Sequence, residues 1–272
     1  MRAEAGAGSR PNGVVRSYVL ASTPRVGSHL LGDGLTATGI AGHPREWLPR
    51  FSPDAMPMTA RDRFRLVTQP PSEAAYDPEI DGAYIRKVFA NGTSENGVFG
   101  VVIHWFVFQD AVRRLRAFGN VRESEAPHRV LAAAFPKLSY VWLKRRDKIA
   151  QAVSWSKAIQ TGSYTGGQAQ GVGESLRFDY GMIRYLLTAL TSFENAWRSF
   201  FSSSGVTPLV LYYEDFSTNY ASSIRSVLDF LQLDAGGVDI ARPTREKYAD
   251  ARSLEWIEQF KQLHSQVRSA VR

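Results

Sequence analysis

The chain has 272 residues, 44% of them hydrophobic, and neither a linker nor an internal repeat divides it, so one domain is expected over 17–272. It contains no cysteine, which excludes disulfides, thiolate zinc sites and a cysteine nucleophile. A formal net charge of +7 suits an anionic ligand, a nucleic acid or an acidic surface, and does not choose among them.

Residues 1–16 are rich in Gly, Ala and Arg and lack an apolar core segment. They read as a disordered leader rather than a signal peptide, which points to the cytoplasm. Ser17-Tyr18-Val19-Leu20 reads as a strand, and Ala21 to Leu31 as a tight loop entering a helix. The first N–H groups of such a helix point into the loop, where with Arg25 they form a cradle for a dianion from Arg25, Val26, Gly27, Ser28 and His29. An ordinary strand-to-helix turn has the same outline. No lysine follows Gly27, so this is not a loop built to reach the β- and γ-phosphates of a nucleoside triphosphate.

Glu46 lies between Pro44 and Trp47. A partly desolvated carboxylate there has the setting of a general base, against the commoner case of a solvated glutamate. The longest apolar stretch, Val98 to Phe108, is broken by Gly100 and His104 and is too short to cross a bilayer, so no stable membrane insertion is expected. Within it Gly100 to Trp105 reads as a strand, as do Ser139 to Leu143 and Pro208 to Tyr213. Their near-continuous apolar character is that of a parallel sheet covered on both faces.

After Leu143 comes Lys144-Arg145-Arg146-Asp147, with Ser154 eight positions beyond Arg146, about two turns if all were helical. An arginine in the turn and a serine on the next helix can grip one phosphate from two sides; a solvated basic turn is the alternative. The glycine-rich segment 162–173 reads as a lid or a surface excursion. Apolar stripes follow at Ile183 to Phe200, Ile224 to Leu231 and Leu254 to Val267. The tryptophans fall in apolar stripes, which argues against a nucleic-acid-binding module. Alternating strands and helices predict an α/β fold with its ligand at the carboxyl ends of the strands.

Leu20-Ala21-Ser22 with Arg25-x-Gly27-Ser28, Thr38-Gly39-Ile40-Ala41-Gly42-x-Pro44-x-Glu46, Arg146-Asp147-x-x-x-Gln151-Ala152-Val153-Ser154, Glu194-x-x-Trp197 and Arg252-Ser253-x-Glu255-Trp256 occur in this order. The ordered set resembles the Stf0 family of bacterial sulfotransferases from about Ser17 to Phe260. The resemblance implies a P-loop-kinase-like sulfotransferase fold, a central parallel sheet flanked by helices. It implies 3′-phosphoadenosine 5′-phosphosulfate (PAPS) as co-substrate and the bisphosphate PAP as product. Arg25, Val26, Gly27, Ser28 and His29 would hold the 5′-phosphosulfate, and Arg146 with Ser154 the 3′-phosphate. Glu46 falls on the proposed catalytic base, Arg25 and the loop amides would stabilise the departing oxygen with His29 beside them, and no metal is required. A small-molecule hydroxyl acceptor such as a sugar, and a homodimer, are also implied.

The sequence departs from the family pattern twice. Val102 stands where a lysine is expected, and His29 where Ser or Thr is usual; His29 could replace the hydroxyl donor and His104 part of the lysine's role. A P-loop-type small-molecule kinase and an inactive sulfotransferase-like binding protein are the competing readings.

Overall fold

A computed structural model describes residues 13–48, 59–68, 78–164, 176–241 and 251–270. Four strands, β1 (Arg16–Ser22), β2 (Val98–His104), β3 (Leu138–Lys144) and β4 (Leu209–Tyr212), form one parallel sheet in the order β2-β1-β3-β4. Ten helices are described around it: α1 (Ser28–Ala37), α2 (Ala60–Thr68), α3 (Pro78–Gly92), α4 (Trp105–Phe118), α5 (Pro127–Ala134), α6 (Lys148–Thr161), α7 (Tyr180–Ser204), α8 (Tyr213–Thr218), α9 (Tyr220–Phe230) and α10 (Ala251–Ala270). This is the expected α/β fold.

The apolar runs become strands because both faces of the sheet are covered. Val19, Ala21, Phe99, Val101, Ile103, Tyr140 and Trp142 face one layer with residues of α3, α4 and α7. Tyr18, Leu20, Val98, Val102, Val141 and Leu143 face the other with α1 and α9. A third cluster, from α6, α7 and α10, lies apart from the strands. β4 departs from the expectation of a fully buried strand: it is the sheet edge, and Val210 is 40% exposed.

Helix starts follow local chemistry. Asp147 caps α6 by accepting from the Ala150 amide at 2.8 Å, and Asp179 caps α7 by accepting from Met182 at 2.8 Å. α7 is pinned to the sheet by Trp197, whose Nε1 donates to the Ser22 carbonyl at 2.9 Å. The last helix carries a corrected stripe. Leu254 and Val267 are 59% and 39% exposed, while Ser253, Trp256, Ile257 and Phe260 are buried. Those four follow the i, i+3, i+4, i+7 spacing of one helical face, and Leu254 sits one residue off it.

Strand order changes direction at β1, with β2 on one side and β3 on the other, so the crevice beyond the carboxyl ends of β1 and β3 is the switch point where such sheets bind ligands. Residues 1–12, most of the expected leader, lie outside the described residues, and β1 already includes Arg16.

Candidate active site

The turn from β1 into α1 is built from buried bonds. Thr23 is buried, and Gln151 of α6 donates from Nε2 to Thr23 Oγ1 at 2.9 Å and to the Pro24 carbonyl at 2.7 Å. Arg25 sits in the left-handed region at φ 61°, and its carbonyl accepts from Arg145 Nη1 at 3.1 Å. The Arg145 guanidinium lies 4.7 Å over the ring of Tyr213. Gly27, at φ 92°, is the N-cap of α1, and a Cβ placed there would stand 2.6 Å from Tyr213 Cδ2. Only glycine meets both demands.

Gly27 leaves α1 with no side-chain cap, and the first turn holds no acidic residue. Its leading amides therefore keep the partial positive charge that attracts an anion. Arg25 adds a full charge beside them, donating from Nε to Ser154 Oγ at 3.1 Å and from Nη1 to the Tyr164 carbonyl.

The turn from β3 into α6 is different. Arg146 makes a two-pronged pair with Asp215, both contacts 2.6 Å, and stacks 4.1 Å over Tyr212. The amides of Arg146 and Asp147 donate to the Glu214 carboxylate at 3.0 and 3.2 Å. Ser154, expected to work with Arg146, instead receives its bond from Arg25.

Glu46 reaches the same end of the sheet through backbone pairing. Arg45 bridges to Val101, and its carbonyl accepts from the Val102 amide at 2.8 Å, which carries Glu46 alongside the end of β2. Gly32 of α1 allows this approach, since a Cβ there would lie 2.7 Å from the Pro44 carbonyl. Glu46 Oε1 stands 2.8 Å from His104 Nε2 and 3.8 Å from His29 Nε2. Burial by itself would raise the Glu46 pKa; the charge and hydrogen bond of His104, then the charges of His29 and Arg25, outweigh it and bring the value down to about 2. The His29 pKa is lowered, chiefly by burial, with Glu46 opposing and His104, Arg25 and Arg45 adding to the fall. Both groups therefore stand in base form at neutral pH. Phe106, 46% exposed, stacks on His104 with ring centroids 5.7 Å apart.

The Stf0 sulphotransferase family model matches residues 17–263. The chain belongs to the Stf0 sulphotransferase family. Among relatives, trehalose 2-sulfotransferase of Mycobacterium tuberculosis (strain ATCC 35801 / TMC 107 / Erdman) is 29% identical over 263 residues, covering 91% of this chain and 95% of the relative. The Mycolicibacterium smegmatis (strain ATCC 700084 / mc(2)155) trehalose 2-sulfotransferase is 27% identical over 256 residues, covering 90% and 94%. Of solved structures, a sulfotransferase from Alicyclobacillus acidocaldarius aligns at a TM-score of 0.46 with 16% identity, over 93% of this chain and 91% of that one. The sulfotransferase domain of the Synechococcus PCC 7002 olefin synthase aligns at 0.39 with 15% identity, over 93% and 96%.

For an Stf0 sulfotransferase, the departure at Val102 and the His104 offered as its partial replacement now have a location. Val102 is 2% exposed in the layer with Leu20, Val26 and Leu31, between the sheet and α1. His104, expected to take part of the lysine's role, has both ring nitrogens engaged, one by Glu46 and one by Ser22. Ser22 and Gln151 stood in the family segments without a role of their own, and Arg145 and Tyr213 carried no site signal in the sequence. Their roles come from strand register and from packing across the switch point. Residues 165–175, which include most of the glycine-rich segment, and residues 49–58 and 69–77 lie outside the described residues. No described helix is long and apolar enough to cross a membrane.

Proposed function

We propose that this sulfotransferase moves a sulfuryl group from PAPS to a hydroxyl of a carbohydrate, with Glu46 taking the acceptor's proton. One observation carries the reading: His29 belongs to the first turn of α1 and lies 3.8 Å from Glu46 Oε1, so the anion cradle and the basic carboxylate adjoin across one imidazole. The names of the two mycobacterial relatives support a sugar as acceptor.

The residues fit a dianionic donor. Uncapped amides of α1 and the Arg25 guanidinium would hold the 5′-phosphosulfate, while Arg146 and Ser154 would hold the 3′-phosphate. The donor supplies a sulfuryl group on a phosphate leaving group. The protein's part is positioning and charge stabilisation. Arg25 and the amides face the oxygen that gains charge as the S–O bond breaks. Glu46 accepts the acceptor proton as the new O–S bond forms, and the sulfated sugar and PAP leave. Phe106, stacked on the imidazole that holds Glu46, offers an apolar ring for the C–H face of a sugar.

Glu46→Gln retains size and hydrogen bonding but not basicity, so turnover should fall about 100-fold or more while PAP affinity stays near wild type. The measurement is sulfate transfer from labelled PAPS to trehalose and other sugars, with calorimetry for PAP. Near-normal turnover in this variant would overturn the role given to Glu46.

A further inference from the structure

Ser22 and His104 are register partners in the parallel pairing of β1 with β2, and each is the last residue of its strand. The pairing brings together side chains 82 positions apart: Ser22 Oγ lies 2.9 Å from His104 Nδ1. On the far side of the ring His104 Nε2 lies 2.8 Å from Glu46 Oε1. Ser22 is 0% and His104 5% exposed, whereas the Glu46 side chain is 30% exposed. The chain of bonds thus runs from the buried end of the sheet to the mouth of the site. Its backbone end is fixed as well, because the Ser22 carbonyl accepts from Trp197.

Proton placement follows from the carboxylate. An ionised Glu46 only accepts, so Nε2 carries a hydrogen and donates to Oε1. In the neutral ring Nδ1 is then an acceptor, and the Ser22 hydroxyl donates to it. If the ring becomes cationic, Ser22 rotates and accepts from Nδ1–H instead; the serine serves either state without losing the bond. Among the described residues, Glu46 Oε2 carries no hydrogen bond.

We infer that Ser22 and His104 form a buried relay that positions the Glu46 carboxylate, fixing Oε1 and presenting Oε2 to the acceptor hydroxyl. This role rests on the sulfuryl-transfer reading for its purpose, but the relay itself is a property of the folded chain. His104 and Ser22 act through Glu46 and are positioning residues. Other groups facing the carboxylate are His29 from α1 and Arg25 from the loop, with Arg45 beside His29. On the relay side the facing groups are Glu46, Ser22 and the stacked ring of Phe106.

The test reads the Glu46 carboxyl directly. In full-length protein labelled with carboxyl carbon-13 glutamate, its signal is assigned by its disappearance in Glu46→Gln and followed with pH. The wild-type midpoint should lie near 2. His104→Ala should raise it by about one unit or more, because the strongest group favouring the ionised form is gone. His104→Gln, which restores an N–H donor toward Oε1 but not the imidazolium charge, should return it part of the way. Ser22→Ala should give a smaller rise in the same direction. Alongside, kcat should fall about tenfold in His104→Ala while PAP affinity holds within about twofold. An unchanged midpoint in both His104→Ala and Ser22→Ala, or a Gln variant no better than Ala, overturns the relay. Should His104→Ala not fold, the Gln and Ser22 variants decide by the same midpoints. Titrations that behave as expected without sulfate transfer to any sugar would instead overturn the functional reading and leave the relay standing.

Discussion

The two strand-to-helix turns at the switch point, after β1 and after β3, each carry an arginine, yet they are held by opposite means. Around Arg25 the bonds are largely buried and mostly uncharged at one end: Gln151 on Thr23 and Pro24, Arg145 on the Arg25 carbonyl, Tyr213 against Gly27. Around Arg146 they are exposed and ionic, with side chains 50% and 59% accessible in the Arg146–Asp215 pair. Buried bonds fix one geometry, since breaking any leaves a polar group without water. An exposed ion pair fixes little, being screened by salt and easily replaced by solvent or another anion. The first turn is preorganised, as the proposed grip on the reacting end of the donor requires. The second can exchange its partner.

The largest effect should come from disturbing the preorganised turn. Gly27→Ala asks an L-residue to hold φ 92° and puts a Cβ 2.6 Å from Tyr213, so loop and ring cannot both keep their places. PAP affinity by calorimetry should drop about 100-fold or more, equivalent to about 3 kcal/mol. Circular dichroism and melting temperature separate this from unfolding. Unchanged affinity in the folded variant would show that the α1 amides are not the cradle.

The exchangeable turn should matter less. Arg146→Ala would remove the charge-assisted bonds proposed to the 3′-phosphate, and PAP binding should weaken about tenfold. Its salt dependence should also flatten, because the lost contact is the solvent-exposed one. Comparison with 5′-AMP, which lacks the 3′-phosphate, sharpens the point: Arg146→Ala should bind AMP as wild type does. Equal losses for the two ligands would place Arg146 elsewhere.

The same contrast explains what could be read from the sequence. Parallel strands covered on both faces announce themselves as apolar runs, and the turn from β1 into α1 as a strand that stops at Thr-Pro-Arg-x-Gly, so the fold and the strand-loop-helix turn were legible. Family segments pointed to Glu46, Arg146 and Ser154. What could not be read is any contact made by register. His104 and Glu46 are 58 positions apart, and Ser22 and His104 82, yet they meet because β1 pairs with β2 and residue 45 bridges to 101. Arg145 looked like one more charge in a basic turn; only Tyr213, from beyond β4, and the Arg25 carbonyl give it work. Leu254 is exposed despite its apolar side chain, because at the end of a stripe helical phase and not hydrophobic identity decides which face is buried. Val102 shows the reverse: its apolar character correctly announces the core, and the family comparison alone makes its position a departure.

The smallest effect tests whether the second turn truly exchanges. Asp215 holds Arg146 through two contacts of 2.6 Å, and a 3′-phosphate would have to displace it. The hydrogen bond from Arg146 lowers the Asp215 pKa, with desolvation opposing and the Arg146 charge assisting. A carboxylate with a depressed folded pKa contributes its stabilisation above the unfolded value and loses it only as pH falls through the folded one, so the pair is intact throughout the neutral range. Asp215→Asn removes the competing charge and leaves the guanidinium in place. PAP affinity should then rise about two- to fivefold at low salt, and the gain should fade by about 0.5 M salt as the screening length shortens. Calorimetry across a salt series is the check. A loss of affinity at every ionic strength would mean that Asp215 aims Arg146 at the donor rather than competing with it, and the turn after β3 would have to be counted as preorganised too.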